Sequence, residues 1–162
     1  MPPPGQGAVP PMINKVIVGV DGSPDSLEAV EWAASLGEVT GAEIIAVHAL
    51  GLIEHLAPAE PPLAVEHHEA EIERRLTTEW CRPLIRRKRH FDVQLCYGSP
   101  ERVLREVAES QDADLIVVGC RGIGGSSLLG STSSQVARRP PCPVVVVPAH
   151  PAHPAHPAHP VA

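Results

Sequence analysis

Aromatic side chains are almost absent from this sequence of 162 residues, which has two tryptophans, one tyrosine and one phenylalanine. The hydrophobic core must therefore be built from aliphatic residues. The chain carries a net charge of −6 and has a pI near 5.8. Nucleic-acid-binding domains usually combine a basic surface with aromatic side chains that stack on bases. The composition predicts that the chain does not bind nucleic acid.

Long apolar runs and paired cysteines are also absent. No apolar segment approaches the roughly 20 residues that span a bilayer, so we expect no membrane span. The four cysteines form no C-x-x-C pair and no metal-type spacing, which is typical of reduced thiols in a cytoplasmic protein. Residues 1–7 have neither a basic region nor an apolar core, so a signal peptide is not expected.

Short β-branched runs alternate with helix-like segments along most of the chain. Strands are predicted at residues 16–20, 44–47, 91–97, 114–118 and 144–147. Helices are predicted at 24–39, 65–90, 101–111 and 131–139, with a kink or break near residues 81–82 because Pro83 follows. This alternation predicts a single α/β domain with a five-stranded, parallel, doubly wound, Rossmann-like sheet, in which ligands bind beyond the carboxyl ends of the strands.

The two ends of the chain have a different composition. We expect residues 1–12 to be a disordered lead, residues 13–148 to be the folded domain, and residues 149–162 to be a disordered tail. The tail repeats His-Pro-Ala and places a histidine at every third position: His150, His153, His156 and His159. In polyproline II these imidazoles would lie roughly 9 Å apart along one edge. The histidines would then either bind metal ions weakly or have no role beyond being part of a solvated tail.

A glycine-rich stretch after the fourth strand is the main candidate for a binding site. Gly119, Gly122, Gly124, Gly125 and Gly130 fall between an apolar strand and the next helix. A strand, a glycine loop and a helix N-terminus together commonly hold phosphate groups, although an ordinary flexible loop would have similar residues. The stretch has no Gly-Lys-Ser/Thr sequence and no lysine, so the groups of a phosphoryl-transfer enzyme are missing.

Parallel strands bring their carboxyl ends to one edge of the sheet. Asp21 follows the first strand, Val47 ends the second, and the glycine loop follows the fourth. An acidic side chain there could accept hydrogen bonds from an adenine or a ribose, while the loop and the helix after it hold phosphates. The sequence thus predicts a nucleotide cleft at this edge.

From about Ile13 to Pro148 the chain resembles the universal stress protein family. The resemblance lies in several motifs in the right order: residues 16–23, Trp32-Ala33, residues 113–119, Gly122, Gly130-Ser131 and residues 141–147. The nucleotide-binding members have Gly-x-x-Gly, nine residues and then Gly-Ser/Thr. Gly119 and Gly122 match the first part and Gly130-Ser131 the last, but the intervening loop has only seven residues. The shortened loop could still close over a triphosphate, prefer fewer phosphates or bind none.

The resemblance implies an adenine nucleotide alpha hydrolase-like fold that binds ATP, with Mg²⁺ carried by the nucleotide. It also implies a set of nucleotide-binding residues: Gly19, Val20, Asp21, Val47, Val118, Gly119, Arg121, Gly122, Gly130, Ser131, Thr132 and Ser133. Asp21 and Val47 would flank adenine and ribose, and the residues from Gly130 to Ser133 would hold the phosphate tail. Asp21 could instead be only a turn residue, and Ser131 only a helix N-cap.

The function implied is that of an ATP-binding regulatory protein of the stress response, not an enzyme. We expect a homodimer formed through the fifth strand (Val144, Val145, Val146 and Val147), whose edge would otherwise be unpaired. One alternative is a member that binds no nucleotide, or a smaller one such as AMP or cyclic AMP, and works through protein contacts. A third is a slow ATPase or a protein that phosphorylates itself at Ser131 or Ser133.

Overall fold

The computed structural model describes residues 12–51, 62–121 and 129–149, with backbone only for 62–66. Five strands are present: β1 (Lys15–Gly19), β2 (Glu43–Ala49), β3 (Phe91–Cys96), β4 (Leu115–Gly119) and β5 (Val144–Val147). The helices are α1 (Pro24–Thr40), α2 (Pro62–Arg75), α3 (Arg82–Arg86), α4 (Pro100–Ser110) and α5 (Ser131–Arg138). The predicted α/β architecture is confirmed. The main difference among the strands is that β2 continues two residues beyond its predicted end at Val47.

All five strands run parallel in the order β3-β2-β1-β4-β5. The chain first moves outward through β2 and β3, then returns to place β4 on the other side of β1. The strand order therefore reverses between β1 and β4, which is the position where open parallel sheets bind ligands. β5 lies at one edge of the sheet.

Aliphatic side chains form a core on each face of the sheet, as the shortage of aromatics requires. On one face Val16 and Val18 pack with α1, α3 and the turn that precedes α3. On the other face Ile17 and Ile116 pack with α4 and α5. The central strands are buried on both sides, which explains why they read as continuous β-branched runs and not as alternating ones.

The start and the end of α1 follow from local sequence. Ser23 is the N-cap, and its hydroxyl accepts a hydrogen bond from the Ser26 N–H at 3.3 Å. Pro24 supplies a preset helical φ at the first turn. At the other end Gly41 adopts φ +77° and donates its N–H to the Gly37 carbonyl at 2.9 Å. These signals position the loop that joins β1 to α1 at the candidate site.

The long helix predicted from residue 65 to 90 is broken, as Pro83 indicated. α2 runs into a π-helical turn (Leu76–Trp80), in which the Cys81 N–H donates to the Leu76 carbonyl at 3.2 Å. α3 follows and ends at Arg86, so the predicted extension to residue 90 is wrong. Because the π-helical turn lies over the core, it directs Trp80 toward the carboxyl ends of β1 and β2.

Several predictions fall outside the described residues. These are the disordered lead over residues 1–11, Gly122 with the rest of the loop to residue 128, and the histidine tail from His150 onward. All four cysteines are described, and none of them forms a disulfide bond. Among the described helices, none combines the length and apolarity needed to cross a membrane.

Candidate functional site

A cavity of about 320 Å³ opens at the carboxyl ends of β1, β2 and β4, where the strand order reverses. The first residues of α4 and α5 close its other side. Its lining consists of Gly19, Val20, Asp21, Ser26, Val47, His48, Ala49, Pro100, Leu104, Val118, Gly119, Arg121, Gly130, Ser131, Thr132 and Ser133. The volume falls at the lower end of the range usual for small-molecule sites.

Every residue of the predicted nucleotide-binding set lines this cavity except Gly122, which lies outside the described residues. The structure therefore brings together residues that are up to 114 positions apart in the sequence, from Gly19 to Ser133. Five lining residues were not predicted: Ser26, His48, Ala49, Pro100 and Leu104. His48 and Ala49 could have been found from a longer β2, whereas Leu104 depends on how α4 packs against the sheet.

Part of the cavity lining is apolar. Val47, Val118 and Leu104 are each no more than 3% exposed, so the walls they form are fixed by core packing. Apolar walls of this kind suit an aromatic base or the carbon face of a ribose.

Asp21 is held in the turn between β1 and α1. Its Oδ1 accepts a hydrogen bond from the Ser23 N–H at 2.9 Å, and its own N–H donates to the Ser26 hydroxyl at 3.3 Å. This is an Asx-type turn, so the turn role that the sequence left open is present. The side chain also lines the cavity, so the turn fixes a carboxylate there.

His48 and Trp80 pack against each other next to the turn between β1 and α1. The His48 Nδ1 lies 2.6 Å from the Val20 carbonyl, which indicates a proton on Nδ1 that is donated to this oxygen. The indole ring of Trp80 packs against the imidazole with ring centroids 5.4 Å apart. A Cβ at Gly22 would lie 2.7 Å from the Trp80 ring, so that position must be glycine, and its φ of +79° requires the same.

Arg121 is tied to the N-terminal turn of α1. Its backbone N–H donates to Asp25 Oδ2 at 3.0 Å, and its Nε lies 3.4 Å from the same oxygen. The Asp25 side chain is 7% exposed, whereas that of Arg121 is 44% exposed. The buried carboxylate therefore anchors the start of the glycine loop and partly offsets the one arginine charge at the cavity.

The carbonyl of Cys120 closes the base of the glycine loop. It accepts the Gly130 N–H at 2.7 Å and the Ser133 hydroxyl at 2.9 Å. Cys120 and Gly130, which lie on either side of the glycine loop, are thus joined directly, and the Gly130 N–H is already engaged. The Ser133 hydroxyl also contacts the Gly130 carbonyl at 3.1 Å and is buried. Ser133 therefore fixes the loop through its side chain.

The N-terminus of α5 faces the cavity. Gly130 is the N-cap and Ser131 is the first helical residue, so the interpretation of Ser131 as an N-cap is wrong. The Ser134 N–H makes the first bond of the helix, to Gly130 O at 3.0 Å. By helix geometry the amides of Ser131, Thr132 and Ser133 have no acceptor within the helix. Together with the helix dipole they form a site for an anion.

Within the described part of the chain, no cluster of three or more His, Cys, Asp or Glu side chains is arranged to hold a metal ion. The polar groups of the cavity are instead hydroxyls, backbone amides, one carboxylate, one imidazole and one guanidinium. This set can bind a ligand with an apolar ring at one end and an anionic group at the other.

Comparisons with known proteins agree with this arrangement. The family model described as Universal stress protein family matches residues 12–148. A universal stress protein of Thermus aquaticus is 32% identical over 142 residues, which cover 84% of this chain and 99% of the relative. One of Methanocaldococcus jannaschii is 31% identical over 147 residues, covering 84% of this chain and 82% of the relative.

A solved structure of a universal stress protein in complex with cAMP superposes with a TM-score of 0.69 and 26% identity. The match covers 86% of this chain and all of that one. The family model, the curated relatives and the fold all point to the same assignment. This chain belongs to the universal stress protein family.

Proposed function

We propose that this protein binds an adenine nucleotide in the cavity at the ends of β1, β2 and β4, and acts as a regulatory protein of the stress response. The observation that carries the proposal is the composition of the cavity lining. Buried apolar side chains (Val47, Val118 and Leu104) and the N-terminus of α5 line the same cavity. An adenosine fits the first and a phosphate fits the second.

The adenosine would be held next to β1 and β2. The Asp21 carboxylate is kept in place by the turn and can accept a hydrogen bond from the ribose or the base. Phosphate oxygens would accept from the amides of Ser131 and Thr132 and from their hydroxyls. Mg²⁺ would come with the nucleotide, because it is usually bound through substrate phosphates and water together with only one or two protein carboxylates.

ATP with Mg²⁺ is the ligand that the glycine motif favours, and AMP or cyclic AMP is the second candidate. Three observations support a smaller nucleotide. The loop is two residues short of the family pattern, and the Gly130 N–H is engaged by Cys120 and so is not available to a phosphate. The solved relative at 26% identity was crystallised with cAMP. The binding role of the cavity is the same in both cases.

A regulatory role, with no efficient catalysis, is supported by the residues at the phosphate end. No lysine is present among the described lining residues, and the Arg121 guanidinium lies against Asp25. Transfer of a phosphoryl group needs fixed positive charge at the leaving oxygens. The Ser133 hydroxyl is buried and donated to backbone carbonyls. Self-phosphorylation would therefore fall on Ser131, whose side chain is exposed.

We further propose that two copies pair through β5, in the cytoplasm. β5 is an edge strand with one neighbour in the described sheet. Its valines pack into the cores on both faces, but this packing provides no partner for the outer backbone groups within the described sheet. A second β5 related by two-fold symmetry would satisfy them. Four cysteines that form no disulfide agree with a reducing compartment.

The test is to titrate the purified, nucleotide-stripped protein with ATP–Mg²⁺, AMP and cyclic AMP by calorimetry, using GTP as a control for the base. Binding of at least one adenine nucleotide at micromolar strength, with little heat from GTP, is the expected result. Mass spectrometry of any nucleotide released on denaturation identifies the preferred ligand. The absence of heat and of a thermal shift with all three adenine nucleotides at millimolar concentration would contradict the proposal.

A further inference from the structure

A second groove lies between α4 and α5, next to the nucleotide cavity. Four arginines and one glutamate line it: Arg102, Arg105, Arg138, Arg139 and Glu101. They give the groove a formal charge of +3 in a chain whose net charge is −6. Since the two helices pack against each other, these charges are held close together on one surface. The groove is thus a local concentration of positive charge on an acidic protein.

The lining residues of each helix recur at helical spacing. Arg102 and Arg105 are one turn apart on α4, and Ser131, Ser134 and Arg138 follow one face of α5. The α5 face therefore presents hydroxyls at its start and a guanidinium at its end. Ser131 also lines the nucleotide cavity, so the two sites are adjacent.

The Arg105 side chain has a hydrogen-bond donor without a partner among the described residues, and this observation is independent of the charge count. Its Nε is shielded from solvent and has no hydrogen-bond partner among the described residues. A buried guanidinium N–H without an acceptor is unfavourable, and buried donors in proteins are generally satisfied. The neighbouring Arg102 differs, because its side chain is 70% exposed and its guanidinium pairs with Glu106 at 2.6 Å. Arg105 thus carries an unsatisfied donor on a side chain whose residue lines the groove.

Ser99 provides a further donor at the same place. It has the extended backbone of an N-cap, with φ −68° and ψ 142°, but its side chain makes no capping hydrogen bond. Ser99 is also one of the residues that line the groove. Glu101 has the opposite effect, because its carboxylate repels an anion. Four arginines, one of them paired with Glu106, and three serines line the groove together with one glutamate, and this excess of donors favours an anion with several acceptor oxygens.

We propose that this groove binds a phosphate group, with Arg105 as its central ligand. Guanidinium groups match the geometry of phosphate oxygens through paired N–H donors, and hydroxyls supply the remaining bonds. The phosphate is either free, as phosphate or pyrophosphate, or it is the distal part of a polyphosphate tail whose nucleoside lies in the cavity. Apart from Ser131, the described lining residues of the groove are not those of the cavity. Binding of the free anion therefore does not depend on nucleotide binding in the cavity, whereas binding of a polyphosphate tail rests on the proposed function.

The experiment titrates pyrophosphate, ATP and AMP into the wild-type chain, Arg105→Gln and Arg105→Lys. Arg82→Gln is the control, because it removes the same charge from an exposed position outside the groove. We expect pyrophosphate to bind the wild type. In Arg105→Gln its affinity should be about tenfold lower, which corresponds to the loss of one charge-assisted hydrogen bond. Arg105→Lys recovers only part of the affinity, because it lacks the paired donors. Arg82→Gln binds as the wild type does.

The arms separate the two sources of phosphate. If the groove binds the tail of a nucleotide, Arg105→Gln lowers the affinity for ATP but leaves the affinity for AMP unchanged. If the groove binds the free anion, pyrophosphate still binds when the cavity is saturated with AMP. Equal weakening by Arg105→Gln and Arg82→Gln, or the absence of any Arg105-dependent binding of pyrophosphate or ATP, overturns the proposal. Arg138→Gln repeats the test should Arg105→Gln fail to fold. AMP binding reports on the cavity alone.

Discussion

Gly119 lies at the end of β4, where the first turn of α1 packs against it. A Cβ at this position would lie 2.6 Å from the carbonyl carbon of Asp25 and 2.7 Å from the nitrogen of Ser26. Both atoms belong to the backbone of a packed helix, so no change of rotamer relieves the contact. The first glycine of the phosphate-loop motif is therefore also required by packing. The sequence indicated the motif but could not show this contact between residues about 95 positions apart.

Replacing Gly119 with alanine tests this packing. We expect Gly119→Ala to lower the free energy of unfolding by about 1–3 kcal/mol, the usual cost of overpacking, and to weaken nucleotide binding because the α1 turn shifts at the cavity. Urea denaturation and calorimetry measure the two effects. Gly41→Ala is the control. Its Cβ would meet nothing within 4 Å, so it costs only the left-handed strain and leaves affinity unchanged. Unchanged stability and affinity in Gly119→Ala would contradict this account.

Cys81 is a second residue whose environment allows a prediction. Burial raises the pKa of its thiol to about 12, and the side chain is completely covered. Since the thiolate is the reactive form, iodoacetamide at pH 8 should leave Cys81 unmodified in the native protein and label it in urea. Peptide mass spectrometry after each treatment reads out the modification. Rapid labelling of Cys81 in the folded state would show that it is not buried.

The raised pKa also gives a pH dependence of stability. The unfolded thiol ionises near its ordinary pKa of 9.0, while the folded one stays protonated up to about 12. Between these values the unfolded state binds fewer protons, so the free energy of unfolding falls as the pH rises. Cys81→Ala should show a flatter alkaline loss of stability than the wild type in urea titrations at pH 9 to 11. Equal slopes would indicate that Cys81 does not contribute.

At the scale of elements, the strands and helices could largely be predicted from the sequence. β-branched runs, the Ser23-Pro24 cap and the Pro83 break are local signals, and each corresponds to what the structure contains. Two features could not be predicted. The last two residues of β2, His48 and Ala49, have little local strand preference and are held by pairing with β3. The π-helical turn depends on the packing of Trp80 against Gly22 and His48, which are distant in sequence.

The π-helical turn places Trp80 where it can report on the cavity. Its indole packs against His48, which lines the cavity. Trp32 lies on α1 and is not one of the residues that line the cavity. We therefore expect the fluorescence of a Trp32→Phe variant, which keeps only Trp80, to change on nucleotide addition with the affinity found by calorimetry. The Trp80→Phe variant, which keeps only Trp32, should show no change. A response carried by Trp32 alone would contradict the proposed position of the ligand.

At the scale of the whole molecule, β5 determines how two copies could associate. Ile116 donates its N–H to the Pro143 carbonyl and Cys120 donates to that of Val147, so odd-numbered residues of β5 face β4. By the alternation of a parallel ladder, the backbone groups of Val144 and Val146 point outward. The sequence predicted this edge strand but could not tell which of its valines are free to pair.

Val146→Pro should therefore yield monomers, because proline removes an outward N–H from an edge strand without breaking the bonds to β4. Val146→Ala is the matched control, since it shortens the side chain but keeps the N–H and should remain dimeric. Light scattering coupled to size-exclusion chromatography gives the mass of each. A monomeric wild-type protein, or a Val146→Pro variant that is still dimeric, would rule out pairing through β5.

The central claim is that an anionic group of a nucleotide lies at the N-terminus of α5, and Ser131→Asp tests it most directly. An aspartate at the first helical position stabilises a helix by about 0.3–1 kcal/mol, but its charge repels a phosphate at the same place. Ala137→Asp adds the same charge to an exposed position of α5 outside the cavity. Calorimetric titration with AMP and cyclic AMP should show binding at least about tenfold weaker for Ser131→Asp, and nearly unchanged for Ala137→Asp. Equal affinities for the wild type and Ser131→Asp, with both proteins folded, would contradict the account.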